Sequence, residues 1–404
     1  MRKHKSDRII GLMTLILLIA GLIVIYAIGP MRVNFMNAAY GTDYSENYFF
    51  IHQLINVTIS VAAFIFAFKF PYEKYRKYSK WVLFLGFLLC GVLFIAGRLG
   101  IESIAKCELG ACRWIRIGGF GSLQPAEILK LGLVLYLSQL AAERKKEGKI
   151  NSSDFWLPAG LMSTISLLFV VVLQKDLGSG VVIVAIILAT IFMSGVQLRK
   201  FALVVGGILV AGVIAVVSSP HRMERIMTFV NGEGSDNYHI ENALIAIGTG
   251  GLTGVGVGNS VQATGYLPES INDSVFAVMG ETFGFVGLAA IVAVFIVLLT
   301  RILRVGELGQ DDEQKLIGIG VFAWVAVQMA INIMAMTGLI PLTGITLPLL
   351  SYGGTSMMFV TIALGLTSQL SCYTRREKEI SQRRFSNGHL KGGRLHENSS
   401  RRRR

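Results

Sequence analysis

Carboxylates in one stretch of the chain are the residues best placed to do chemistry. Residues 266–287 read YLPESINDSVFAVMGETFGFVG, a polar half with Glu269 and Asp273 that runs into an apolar half with Glu281. A carboxylate at the mouth of an apolar helix, followed by another inside it, is costly to keep in a membrane. These side chains must therefore be used by a function or satisfied by partners.

Acidic and basic residues also occur together in the run 110–137, which reads GACRWIRIGGFGSLQPAEILKLGLVLYL. Pro125, with Gln124 just before it, suits the first turn of a helix. Glu127 and Lys130 lie three residues apart, so they share one helix face and can pair inside the membrane. The pair is either an ion pair that bridges helices or part of a cavity that grips a polar headgroup.

Cationic side chains lie near the outer ends of the apolar segments. Arg113 and Arg116 flank Trp114, as interfacial anchors do, but a guanidinium at this depth also suits a phosphate. Asp176, in the run LQKDLGSGVV, begins the sixth apolar segment and fits a plain N-cap, with Lys175 beside it.

The run 339–356, LIPLTGITLPLLSYGGTS, is broken by proline and glycine between two apolar segments. It predicts an irregular or re-entrant segment, which survives near a membrane only against protein or a watery cavity. Ser351 and Tyr352 could offer hydroxyls to a sugar or act as local caps.

Composition identifies the class of protein that carries these residues. Of 404 residues, 53% are hydrophobic and 16% are charged, which excludes an ordinary soluble domain and a disordered chain. Long apolar segments recur, so we predict an all-α polytopic membrane protein with ten transmembrane helices. The predicted spans are 9–28, 51–68, 81–97, 126–142, 156–173, 179–196, 201–217, 276–300, 316–337 and 352–372. The longest connection, 218–275, is a large outer loop between spans 7 and 8.

The distribution of charge predicts the orientation. With these spans, 29 of the 38 Lys and Arg residues lie on the side of the two termini, so both termini are expected to be cytoplasmic. The chain then divides into a cytoplasmic N-terminus 1–8, a membrane domain 9–372 and a basic cytoplasmic tail 373–404. Topology thus explains the net charge of +13, and we expect the tail to meet anionic lipids or a partner and no nucleic acid.

The cysteines suggest little chemistry of their own. Cys107 and Cys112 lie five residues apart in an outer loop and can form a disulfide there, a pairing that the sequence leaves open. Cys90 and Cys372 lie in or at the end of spans and are expected to be inert. The histidines are scattered, without the spacing of a zinc site.

Four runs of this chain resemble one family. They are RWIRIGGFGSLQPAEILKL, QKDLGSGVV, the block from IGTGG to FGFVG, and IPLTGITLPLLSYGGTS. Together, in order and spacing, they resemble the SEDS family (shape, elongation, division and sporulation), which contains the FtsW and RodA peptidoglycan polymerases. The QPAE and YLPE segments are more similar to the FtsW branch than to the RodA branch.

The resemblance implies a peptidoglycan glycosyltransferase that polymerises lipid II into glycan strands at the outer face of the bacterial cytoplasmic membrane. The strands would serve cell division or cell shape, with the division septum as a place of action. The resemblance also implies a class B penicillin-binding protein as crosslinking partner, and contacts with other division or elongation proteins. The alternative is a lipid II flippase, a transporter, but the polar residues cluster on the outer side rather than along a whole path. A scaffold without activity is a third reading.

Residue by residue, the family's catalytic aspartate matches Asp273, although the run here reads INDSVFA and lacks the family's histidine. Glu281 matches the first glutamate of a G-E-E motif whose second position is Thr282, and we expect Glu281 to hold helices together. The remaining matches and interfacial cations give the predicted substrate-binding residues, namely Arg113, Gln124, Glu127, Lys130, Lys175, Asp176, Arg222 and Ser351. Pro125 and Gly178 are expected to be structural.

The reaction implied needs a base for a sugar 4-hydroxyl and positive charge for a polyprenyl pyrophosphate leaving group. Asp273 is the predicted base, and an ordinary aspartate, with a pKa of about 4, would need no tuning. It could also cap the eighth span. The charge would come from Arg113, Lys130, Lys175 and Arg222, together with a bridging divalent cation, Mg²⁺ or Mn²⁺.

Overall fold

The protein is a helical membrane bundle with one small sheet. It is described by a computed structural model for residues 6–108, 111–118, 121–232 and 234–374. Its helices are α1 (Arg8–Tyr40), α2 (Tyr48–Lys69), α3 (Tyr72–Arg98), α4 (Pro125–Lys146), α5 (Ser153–Leu167), α6 (Leu177–Met193), α7 (Leu198–Val217), α8 (Pro220–Asn231), α9 (Ser235–Gly250), α10 (Val275–Leu308), α11 (Asp312–Met336) and α12 (Gly354–Leu370). A π-helical turn, Leu168–Leu173, extends α5. The predicted N-terminal segment and basic tail lie mostly outside the described residues.

Within these residues, nine helices are long and apolar enough to cross a membrane, and α6 is a shorter apolar helix. With α6, they coincide with the ten predicted spans, while α8 and α9 lie in the segment predicted as one outer loop. The polytopic helical fold is thus confirmed, and the orientation and the number of spans stay predictions.

The centre of the bundle is formed by α4, α11 and α12, whose residues are mostly buried. Glycine allows close approach of neighbouring helices there. A Cβ on Gly132 of α4 would lie 2.7 Å from the Cα of Leu83 in α3, so no larger residue fits without a shift. By contrast, α7 packs at the periphery and buries none of its residues.

The first helix is longer than predicted. The sequence predicted an outer loop after Pro30, but α1 continues through this proline to Tyr40. A proline removes one backbone donor, and neighbouring contacts can compensate for that loss. Here the extension packs on the rest of the protein: Val33 is fully buried, and the ring of Phe35 lies against the backbone of Gly265.

The segment between α3 and α4 contains strands that the all-α prediction did not include. They form an antiparallel sheet of β1 (Ala105–Glu108), β2 (Ala111–Arg116) and β3 (Ser122–Leu123). Cys107 and Cys112 face each other across the first pair and are joined as a disulfide. The disulfide packs on Gly97, where a Cβ would lie 2.7 Å from the Cys112 sulfur.

The segment between α9 and α10 docks on α10 through an exchange of backbone hydrogen bonds. Gly284 breaks the helical path of α10 with φ 66° and ψ −169°, a conformation that favours glycine. The amides of Phe285 and Val286 then donate to the carbonyls of Gly251 and Leu252 at 2.9 and 3.1 Å, outside their own helix. The segment after α9 is thereby fixed against the middle of α10.

Candidate active site at one end of the helix bundle

Asp273 lies in a tight turn that leads into α10. The helix begins at Val275 with Ser274 as its N-cap residue, so Asp273 stands one residue before the cap position. The expectation that Asp273 caps this span is therefore wrong. Instead, its carbonyl accepts a hydrogen bond at 2.7 Å from Nδ2 of Asn332 in α11.

Asn332 ties this turn to the segment 337–353. Its Nδ2 also donates to the carbonyl of Ile345 at 2.7 Å, and the amide of Tyr352 donates to the carbonyl of Ile271 at 2.8 Å. The segment 337–353 has no helix among its residues, which matches the predicted irregular run 339–356 except at its end, where α12 begins at Gly354. Asp273 is thus held between α10, α11 and an irregular segment that is distant in sequence.

The carboxyl group of Asp273 is not that of an ordinary aspartate. Its Oδ1 is buried and has no hydrogen-bond partner in the described part of the chain. Burial, and then the negative charge of Glu269, raise the pKa of Asp273 to about 7, against the opposing effects of nearby backbone amides and Arg225. The expectation of an untuned pKa near 4 does not match this site. A base with a pKa near neutrality is well matched to proton transfer at physiological pH.

Two of the predicted cations, Arg113 and Arg222, gather beside the backbone of Lys175, between the π-helical extension of α5 and the start of α6. The Nη2 of Arg113 donates to the carbonyl of Lys175 at 2.8 Å, and Arg222 donates to the carbonyls of Val171 and Ala215. Burial and the charge of Arg113 lower the pKa of the Arg222 guanidinium, so the two guanidinium groups are close enough to repel each other. Such a cluster is suited to an anion.

The chain conformation at this cluster is irregular. Lys175 has a positive φ of 53°. After the π-helical turn that precedes it, the amide of Asp176 donates to the carbonyl of Val170 at 2.9 Å. π-Helical turns are rare and often occur at functional sites. The Nε of Arg113 is also buried and, among the described residues, lacks a hydrogen-bond partner.

Asp176 joins the N-terminal ends of α4 and α6. Its Oδ1 accepts from the amide of Ser179 at 3.0 Å, as an N-cap does, and its Oδ2 accepts from Gln124 Nε2 at 3.1 Å. Gly178 lets the segment 337–353 approach this point, because a Cβ there would lie 2.6 Å from the side chain of Ile345. Ile345 in turn contacts Asn332, so the cation cluster and Asp273 flank the same irregular segment.

The predicted pair of Glu127 and Lys130 lies deeper, in the bundle core. The two charges are 2.8 Å apart, and only 3% and 1% of these residues are exposed. Lys130 also lies 5.0 Å from the ring centroid of Trp324 and 3.5 Å from Oε1 of Gln328. Both residues belong to α4, and the contacts of Lys130 with Trp324 and Gln328 connect the pair to α11. Contact of either residue with substrate stays a prediction.

The side chains of Ser351 and Glu281 accept hydrogen bonds from backbone amides rather than face open space. The Oγ of Ser351 accepts from the amide of Leu347 at 2.8 Å, which is the local cap that the sequence allowed. Glu281 accepts from the hydroxyl of Ser260 and from the amides of Val261 and Gln262. The carboxylate of Glu281 therefore holds a loop on α10, whereas the sequence suggested that it joins helices.

Comparison with known proteins identifies the family. The family model described as cell cycle protein, FtsW/RodA/SpoVE, matches residues 8–376. This chain belongs to that family. It is similar to stage V sporulation protein E of Bacillus subtilis (strain 168), with 33% identity over 93% of this chain and 99% of that protein. It is also 33% identical to the probable peptidoglycan glycosyltransferase FtsW of Coxiella burnetii, over 91% of this chain and 96% of the relative.

Solved structures of SEDS proteins share the fold. The rod shape determining protein RodA of Thermus thermophilus superposes with a TM-score of 0.65 at 19% identity, covering 92% of this chain and 98% of RodA. A chain of a peptidoglycan synthase complex that coordinates polymerization and crosslinking gives a TM-score of 0.70, also at 19% identity, covering 91% and 97% of the two chains. The predicted SEDS membership, with FtsW-like relatives, is confirmed.

Sequence reasoning missed residues of this SEDS site. Asn332 lies within an apolar span, and a polar side chain there is a signal that could have found it. Arg225 and His239 lie in a polar segment, where nothing in the sequence distinguishes them from neighbours. Within the described residues, no three His, Cys, Asp or Glu side chains gather as a metal site.

Proposed function

We propose that this SEDS protein is a peptidoglycan glycosyltransferase that polymerises lipid II at the outer face of the cytoplasmic membrane. One observation carries the proposal: the carboxylate of Asp273, with one buried oxygen and a pKa raised to about 7, flanks the same irregular segment as the guanidinium groups of Arg113 and Arg222. The names of its FtsW relatives support the same activity.

In the proposed reaction, Asp273 removes the proton of an acceptor sugar 4-hydroxyl. The freed oxygen forms a bond to the anomeric carbon of a second lipid-linked disaccharide. The bond from that carbon to the pyrophosphate oxygen breaks, and the polyprenyl pyrophosphate leaves with the electron pair. A positioned base contributes about 10²-fold to 10⁴-fold to the rate of such a step.

The leaving group would be received by Arg113, Lys175 and Arg222. Fixed positive charge aimed at a developing negative charge lowers the barrier without reorganisation of solvent. Guanidinium groups suit phosphate because their planar donors can bind its oxygens in pairs. A divalent cation, Mg²⁺ or Mn²⁺, that bridges the phosphates of the substrate stays a prediction.

A polymerase of glycan strands also needs a crosslinking enzyme. We propose a class B penicillin-binding protein as partner, supported by the similar chain that belongs to a complex coordinating polymerization and crosslinking. Contacts with other division or elongation proteins, with anionic lipids through the tail, and action at the septum are predictions of the same proposal.

The test is strand synthesis by purified protein from lipid II in detergent, with the products separated on a gel. Asp273→Asn keeps size and polarity but not basicity, so we expect a loss of about 10²-fold or more. Asp43→Asn, in the exposed loop after α1, is the matched control and should retain the wild-type rate. Strands made by Asp273→Asn at the wild-type rate would overturn the assignment. Transbilayer movement of lipid II without strands would indicate the flippase.

A further inference from the structure

A hydrogen-bonded bridge crosses the turn that carries Asp273. The Nε2 of His239, in α9, lies 2.6 Å from the hydroxyl of Ser274, and that hydroxyl donates to the carbonyl of Pro268 at 2.8 Å. Both side chains are buried, with 9% of His239 and none of Ser274 exposed. The bridge therefore connects α9 to both ends of the turn 268–274.

The direction of these bonds follows from the hydroxyl. Ser274 has one hydroxyl hydrogen, which the carbonyl of Pro268 accepts, because a carbonyl has no hydrogen to give. Toward His239 the hydroxyl must therefore accept, so Nε2 carries a proton. This requirement is met by the neutral Nε2–H tautomer and by the imidazolium alike. A donor at this position is thus the chemistry that the bridge needs.

The turn itself is not a relaxed conformation. Glu269 has a positive φ of 49°, and its carbonyl accepts from the amides of Asn272 and Ser274 at 2.9 and 3.2 Å. Non-glycine residues in the left-handed region are uncommon and persist only where the surroundings hold them. The bridge from α9 provides such a hold at the residue next to Asp273.

We propose that His239 is a positioning residue for Asp273: its imidazole N–H, acting through Ser274, keeps the turn 268–274 closed and the Oδ1 of Asp273 buried. This role rests on the proposed glycosyltransferase function. His239 does not touch Asp273 directly, and we assign it no proton transfer. Without the donor, the turn would relax and water would reach the carboxylate.

Charged groups from three sides face His239. Asp236 lies on α9 with His239, Glu269 lies on the turn, and Arg225 lies on α8. Arg225 also forms an ion pair with Asp236 at 3.3 Å. Burial is the dominant influence and lowers the pKa of His239, so the imidazole is neutral at neutral pH. The bridge then depends on the neutral Nε2–H form.

The experiment compares His239→Leu, His239→Gln and Ser274→Ala in the full chain, with strand synthesis from lipid II followed between pH 5 and pH 9. Misplacement of a catalytic group by about 1 Å can cost on the order of 100-fold, so we expect His239→Leu to lose on the order of 10-fold to 100-fold. The acid limb of its pH profile should also move to lower pH, because a hydrated carboxylate returns toward its ordinary pKa. His239→Gln keeps an N–H donor at the same reach and should restore rate and profile.

Asn242→Leu is the matched control. It removes another buried polar side chain of α9, whose Nδ2 donates within that helix to the carbonyl of Tyr238 at 2.7 Å. It should leave the rate and the acid limb near those of the wild type, whereas a general loss of helix packing would lower the rate in both variants without moving the limb.

A double variant separates the bridge from unrelated effects. If His239 and Ser274 act through one contact, His239→Leu with Ser274→Ala should lose no more than the worse single variant. Multiplication of the two losses, or equal impairment of His239→Gln and His239→Leu, would overturn the inference. Absence of strands from the wild type would overturn the proposed function together with this role, whereas full activity of His239→Leu would overturn the role alone.

Discussion

At the scale of single residues, the surroundings of Asp273 decide its chemistry. One carboxylate oxygen is buried, and Glu269 adds a second negative charge nearby. Both effects favour the neutral form, so the folded protein holds this group with a pKa of about 7 rather than its ordinary 3.8. Deprotonated Asp273 is therefore a stronger base than an exposed aspartate, and its negative charge is less favourable in the folded protein than in the unfolded chain.

The rate of strand synthesis should consequently rise with pH around neutrality. With a pKa of about 7, roughly a tenth of Asp273 is ionised at pH 6 and roughly nine-tenths at pH 8. Glu269→Gln removes the second cause of the raised pKa, so the acid limb should shift to lower pH. Glu241→Gln, an exposed carboxylate of α9, should not shift it. An unchanged limb in Glu269→Gln would contradict this electrostatic account.

The same pKa gives a signed prediction for stability. A carboxyl group whose folded pKa lies above its unfolded value stabilises the fold at low pH; this contribution is complete below the ordinary value of 3.8 and is lost as pH rises from there through about 7. Asp273→Asn stays neutral at every pH, so its melting temperature in detergent should exceed that of the wild type at pH 8 and approach it at pH 5. A difference between the two proteins that is equal at both pH values would contradict the raised pKa.

Sequence alone could identify several of these residues but not their states. Asp273 follows from its family motif, and Asp176 shows its N-cap role in the run KDLGSG. The pKa of Asp273 could not be predicted, because its burial depends on Asn332 and Tyr352, which reach the turn from distant segments. The role of His239 could not be predicted for the same reason, since the docking of α9 on α10 is what brings this residue to Ser274.

At the scale of elements, hydrophobicity predicted the apolar helices because length and composition are local properties. Hydrophobicity could not predict the break in α10. The backbone amides that lose their helical partners at the break donate instead to the carbonyls of Gly251 and Leu252 in another segment. The strands β1–β3 were missed because they are short and stabilised by pairing and by the disulfide of Cys107 and Cys112. Contacts between elements, rather than local preference, decide these features.

The docking of α9 on α10 gives a prediction with an internal control. A Cβ on Gly250 would lie 1.9 Å from the carbonyl oxygen of Gly280, whereas a Cβ on Gly248 of the same helix would meet nothing within 4 Å. Overpacking of this kind costs about 1–3 kcal/mol, and more where backbone must move. Gly250→Ala should therefore lower the melting temperature in detergent and the rate of strand synthesis. Gly248→Ala should change neither, and equal melting of the two variants would contradict the close packing.

At the scale of the whole molecule, the two ends of the bundle differ in character. One end holds ion pairs between helices, such as Arg76 with Glu313 at 3.3 Å and Lys145 with Asp312 at 3.3 Å. The other end holds Asp273 and the cluster of Arg113 and Arg222. Because lipid-linked substrate meets the protein at one membrane surface, the proposed function requires that the second end faces outward.

Cysteine labelling tests this orientation directly. The native free thiols, Cys90 and Cys372, are buried and the other two cysteines are bonded, so a new exposed cysteine gives the signal. Ser45→Cys, in the exposed loop between α1 and α2, should react with a membrane-impermeant maleimide on intact spheroplasts. Ser153→Cys, exposed at the start of α5 on the opposite end, should react only after permeabilisation. The reverse pattern would place Asp273 in the cytoplasm, where glycan strands could not reach the wall, and would overturn the positive-inside assignment and the proposed function together.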